Sequence, residues 1–149
     1  MPRWTSCALV AALAATLAGC ASTAETGFPA PSEIPERVAH ATCAEATDDP
    51  TALDGEIYVL DNCYVPRVAT VAAGTAVTWI QDGVAPHTVT FSDLDVNSHP
   101  ACAGADVSTC MADGDEFTAT LTEVGEFIYY CVIHGSPDGG GMAATIIVE

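Results

Sequence analysis

From Gly55 onward, apolar side chains recur at every second position in short runs, and Gly, Asp, Asn and Pro separate the runs. In Thr75–Gln81, Val77 and Trp79 oppose Thr78. In His87–Ser92, His87, Val89 and Phe91 oppose Thr88, Thr90 and Ser92. Phe117, Ala119 and Leu121 alternate with threonines in the same way. Phe127, Tyr129 and Cys131 share one face, as do Met142, Ala144, Ile146 and Val148 near the C-terminus. A period of two is that of an extended strand, whose successive side chains point to opposite faces. Ala73-Gly74-Thr75 and Glu123-Val124-Gly125-Glu126 read as tight turns. About seven such strands without helical periodicity predict an all-β domain over residues 51–149, an antiparallel two-sheet Greek-key sandwich.

The N-terminal third has a different character. Arg3 precedes an uncharged Ala/Leu run from Ala8 to Ala18, too short for a stable membrane span. Its end, Leu17-Ala18-Gly19-Cys20, resembles the lipobox of bacterial lipoproteins, which implies a signal peptide over 1–19 and a lipid on Cys20. Residues 20–50, rich in Ala, Thr, Ser, Glu and Pro, read as a lipid-anchored linker. The expected location is extracytoplasmic, with the chain anchored to a bacterial membrane and not spanning it.

Charge narrows the partners. Beyond residue 19 two arginines, Arg37 and Arg67, stand against 20 Asp and Glu, an excess of eighteen negative charges with no lysine. Nucleic acid and anionic lipid surfaces are excluded as partners by repulsion, and a protein partner should be basic. Generic solubility accounts for the acidic excess equally well.

The cysteines carry chemistry. With Cys7 in the leader and Cys20 under the lipid, five remain: Cys43, Cys63, Cys102, Cys110 and Cys131. Thiols outside the cytoplasm normally pair, and an odd number leaves one over. Four cysteines allow three pairings. Cys102 with Cys110 would close a short polar loop, and Cys43 with Cys63 would pin the incoming tail.

His87, Cys131 and Met142 all occupy the inward register at strand ends, and His134 follows Cys131 by three residues. A buried His or Cys must be hydrogen-bonded or must bind something. Taken singly, Met142 reads as a core filler, His87 as a core-edge histidine and Cys131 as a disulfide partner. Taken together, thiolate, two imidazoles and thioether form the soft set that suits one copper ion in both oxidation states. His40 and His99 read as incidental.

These residues lie in a pattern that resembles the cupredoxin family, plastocyanin-like branch, over nearly all of Ile57 to Glu149. It runs through YVPRVATVAAGTAVTWIQD, PHTVTF and GEFIYYCVIHGSPDGGGMAATIIVE. The resemblance implies a type 1 copper site with His87, Cys131 and His134 as ligands and Met142 as the axial thioether. Two departures stand out. Seven residues separate His134 from Met142 where relatives have about four, and Thr88 stands where many relatives place an Asn that ties the two ligand loops together.

The resulting expectation is a monomeric carrier of single electrons between redox proteins. The same ligands would also serve a module for copper delivery or sequestration, and a metal-free sandwich held by disulfides is the structural alternative. An enzyme is not expected. Oxygen or nitrite chemistry at copper needs further histidine sites, and only His40 and His99 stand outside the set.

Overall fold

In a computed structural model of the chain, residues 41–102 and 106–149 are described; Cys7, Cys20, His40 and the predicted signal peptide lie outside them. Among the described residues, nine strands form two sheets. They are β1 (Thr51–Ala52), β2 (Glu56–Leu60), β3 (Cys63–Val65), β4 (Val68–Val71), β5 (Thr75–Gln81), β6 (Thr90–Phe91), β7 (Glu116–Leu121), β8 (Gly125–Gly135) and β9 (Gly141–Val148). One sheet has the order β1-β4-β9-β8-β6 and the other β3-β2-β5-β7.

The count exceeds the expected seven because β1, β3 and β6 are only two or three residues long, below what alternation can register. Three ladders, β1/β4, β4/β9 and β2/β5, are parallel, so the sheets are mixed rather than wholly antiparallel. The chain repeatedly crosses from one sheet to the other, and a strand that returns after such a crossing can lie beside an earlier one in the same direction.

The alternation places the core as expected. Val77 and Trp79 of β5, Phe91 of β6, Leu121 of β7, Tyr129 and Cys131 of β8, and Met142, Ala144, Ile146 and Val148 of β9 are all buried. The Trp79 ring lies 5.8 Å from Phe117 on the neighbouring strand. Across the sandwich it lies 5.8 Å from Phe91 and 5.6 Å from Tyr129. A large aromatic side chain at this position binds the two sheets together.

The residues after 41 do not behave as a free tether. Cys43–Glu45 forms a 3-10 turn, a disulfide joins Cys43 to Cys63 at the start of β3, and Asp48 lies 3.3 Å from the Arg67 guanidinium. The folded unit therefore begins ahead of residue 51. A second disulfide joins Cys102 to Cys110, and Cys131 is the free, buried cysteine of the described residues. No helix among them is long and apolar enough to cross a membrane.

Candidate metal centre

The predicted strand from His87 to Ser92 is realised only in part. His87 makes an isolated bridge to Met111, its N–H donating to the Met111 carbonyl at 3.2 Å and its carbonyl accepting from the Met111 N–H at 2.9 Å. Two residues on, Val89 has a different partner: the Ser98 hydroxyl accepts the Val89 N–H and the Ser98 N–H donates to the Val89 carbonyl, both at 2.9 Å. A side-chain hydroxyl has taken the place of one main-chain acceptor. The preceding loop, residues 82–86, is held by buried Gln81, whose amide donates to the carbonyls of Ala85 at 2.7 Å and Gly83 at 3.3 Å. His87 thus enters the core between two fixed points.

On the other side of the site, the β8/β9 register is regular from Gly125 to Tyr130 and breaks before Gly135. Cys131 to His134 fill that break. The long insert then continues the hairpin past the site. Gly135 pairs with Gly141, the Ser136 N–H donates to the Gly140 carbonyl at 3.0 Å, and the Ser136 hydroxyl bonds Asp138. A Cβ at Gly135 would collide with the Met142 carbonyl and one at Gly141, where φ is +67°, with the His134 carbonyl. Glycine at both positions lets β9 return close to His134 and deliver Met142 as its first buried residue.

Three donor atoms converge. His87 Nδ1 lies 3.1 Å from His134 Nδ1, and Cys131 Sγ lies 3.6 Å from His134 Nδ1. The ligating atoms of His87, Cys131 and His134 all fall within 4.8 Å of one another. Bonds of about 2.0–2.3 Å to a common ion put neighbouring trigonal donors about 3.5–3.8 Å apart, against 3.1 and 3.6 Å for the two pairs that include His134. His87 and Cys131 are buried and His134 is half-buried. Burial, and then the neighbouring His134, push the His87 pKa down, which favours the neutral ring that a metal needs. A thiol with two converging imidazole nitrogens in a nearly closed pocket is the donor set of a trigonal copper site.

Several supporting contacts were not legible in the sequence. Thr88 Oγ1 accepts the Val132 N–H at 3.0 Å, joining the two segments that carry the histidines, so a threonine performs the tie expected of an asparagine. The buried Tyr64 hydroxyl donates to the Thr88 carbonyl at 2.6 Å. Its pKa is held well above the ordinary value by burial and then by Cys131. Asp61 lies 3.6 Å from the far nitrogen of His87. Its pKa is lowered, chiefly by the Ala85 N–H that it accepts. His99 is half-buried and stands apart from the cluster.

Comparison with known proteins agrees with this geometry. The family described as copper binding proteins, plastocyanin/azurin family, matches residues 56–149. The chain is 32% identical over 90 residues to a chloroplastic plastocyanin of Tetradesmus obliquus, which covers 58% of each chain. It is 32% identical over 87 residues to a plastocyanin of Prochlorothrix hollandica, covering 58% of this chain and 63% of that one. The chain thus spans about three fifths of the length of these relatives. Among solved structures, a purple cupredoxin from Nitrosopumilus maritimus superposes with a TM-score of 0.50 at 24% identity, over 64% of this chain and all of that one, a likeness of fold.

Proposed function

The chain belongs to the plastocyanin/azurin family of copper-binding proteins, and from that premise we propose that it is an extracytoplasmic type 1 copper protein that carries single electrons between redox partners. The observation that carries this reading is the meeting of the Cys131 thiol with the Nδ1 atoms of His87 and His134 at the end of the sandwich. Bound copper would supply the Cu(I)/Cu(II) couple, with His87, Cys131 and His134 as equatorial ligands and Met142 as axial thioether.

The protein's own residues make the exchange fast. The donors are fixed by main-chain pairing at His87 and by the Thr88 tie to Val132, so little has to move when the charge changes. Burial of His87 and Cys131 keeps water away from the donors. His134 is half-buried, and Val84, 83% exposed, offers an apolar contact in the loop leading to His87. A redox partner would dock there, and the acidic surface suits a basic one.

Copper(II) added to the protein should produce an intense thiolate-to-copper band in the visible and a narrow copper hyperfine pattern in electron paramagnetic resonance. A colourless protein that takes up copper(I) alone would point to delivery instead, and no uptake would leave a structural sandwich. Met142→Leu should keep the colour and raise the potential, because loss of an axial donor disfavours Cu(II). Loss of copper uptake in that variant would contradict the axial role.

The motif ending in Cys20 supports a lipid anchor, with the residues between Cys20 and the folded unit as the tether at a bacterial membrane surface. Cys20→Ala should move the expressed protein from the membrane fraction to the soluble one. Unchanged fractionation would remove the anchor from the reading.

A further inference from the structure

We propose that Asp61 is a positioning residue for His87 that sets its tautomer and biases the copper site toward Cu(II), an inference that rests on the copper reading above. The His87 side chain is fully buried, with Nδ1 facing His134. If Nδ1 is the ligand, the proton must sit on Nε2. That nitrogen has no hydrogen-bond partner, and the one carboxylate recorded against it is Asp61, whose Oδ1 lies 3.6 Å away. At that distance the contact is electrostatic rather than a formed hydrogen bond.

Asp61 is held where it can act. Its Oδ1 accepts the Ala85 N–H at 2.8 Å, which favours the ionised form and aims the oxygen toward the ring. Gly83 packs directly on it, since a Cβ there would come within 2.6 Å of the same oxygen. Gln81 fixes the loop that supplies both contacts. The carboxylate lies in the turn just after β2 and is half exposed, yet it meets a ring that is closed to solvent. A carboxylate beyond the ligating imidazole fixes ring orientation and raises ligand basicity, and its negative charge stabilises the more highly charged metal state.

Two substitutions separate the two effects. Asp61→Asn keeps an oxygen acceptor and removes the charge, whereas Asp61→Ala removes both. In the copper-loaded protein, voltammetry should show both variants at higher potential than the parent. Cu(II) affinity should fall roughly tenfold relative to Cu(I), the lower end of the range for such partners, and for a one-electron couple each tenfold is about 59 mV. Glu126→Gln, near the opposite end of β8, serves as the charge control and should leave the potential in place.

In the metal-free protein, nitrogen-resolved NMR should find His87 as the Nε2–H tautomer in the parent and in Asp61→Asn, and as a mixture in Asp61→Ala. Unmoved potentials in both Asp61 variants, or an equal shift in Glu126→Gln, would overturn the proposal. If the parent takes up no copper, the functional reading fails by itself. The tautomer then decides the role of Asp61, and a parent without the Nε2–H form rejects it.

Discussion

Cys131→Ser is expected to abolish the visible band of the copper-loaded protein outright and to lower Cu(I) affinity by more than ~100-fold, beyond the loss typical of a residue that only supports a ligand. Cys131 is the one free thiol among the described cysteines, the other four being paired. It is also the only donor of the cluster that can become a soft anion. A serine hydroxyl does not ionise near neutral pH and has little affinity for Cu(I), so both the charge transfer and the tight binding depend on sulfur.

The fold should survive the change. Serine is close to cysteine in size, and its hydroxyl would stand where Sγ now lies 3.6 Å from His134 Nδ1, with a short adjustment bringing it into hydrogen-bond range. Absorption spectroscopy and a competitive Cu(I) titration measure the loss, and far-ultraviolet circular dichroism checks that the sandwich is intact. A persistent band in a folded variant would remove Cys131 from the metal.

The largest effect on stability is expected at the centre of the sandwich. Trp79→Ala should cost about 3–5 kcal/mol, a large part of the roughly 5–15 kcal/mol that holds a typical domain together. Trp79 is fully buried and sits directly opposite Phe117 in the β5/β7 ladder. Its ring also meets Phe91 and Tyr129 of the facing sheet edge-on, at interplanar angles of 87° and 75°. Truncation would open a void bounded by both sheets, and the rigid ladders on either side limit how far it can collapse. Denaturant titration should show the midpoint falling with little change in slope. A loss under about 1 kcal/mol would mean that the sheets are held elsewhere.

Tyr129 illustrates how far local pattern reaches. Its position two residues before Cys131 predicts a shared inward face, and both side chains are fully buried. Its burial also drives the phenol pKa upward, which favours the neutral phenol. By contrast, nothing near Asp61 in the sequence points to His87, which follows it by 26 positions. Nothing near Met111 suggests that its main chain brackets the same histidine.

Alternation of side chains along a strand is a property of consecutive residues, so the chain alone was enough to assign the inward faces, the two-sheet class and the register of His87, Cys131 and Met142. The odd cysteine count needed no coordinates either, since thiols pair by number before they pair by place. Tertiary structure alone decided which strands lie side by side and in which direction. It also decided that Thr88 supplies the tie to Val132, and that the seven-residue insert closes as a hairpin over two glycines. Those outcomes depend on the meeting of segments tens of residues apart, where packing and the need to satisfy every buried N–H and C=O select one arrangement among several that the local pattern permits.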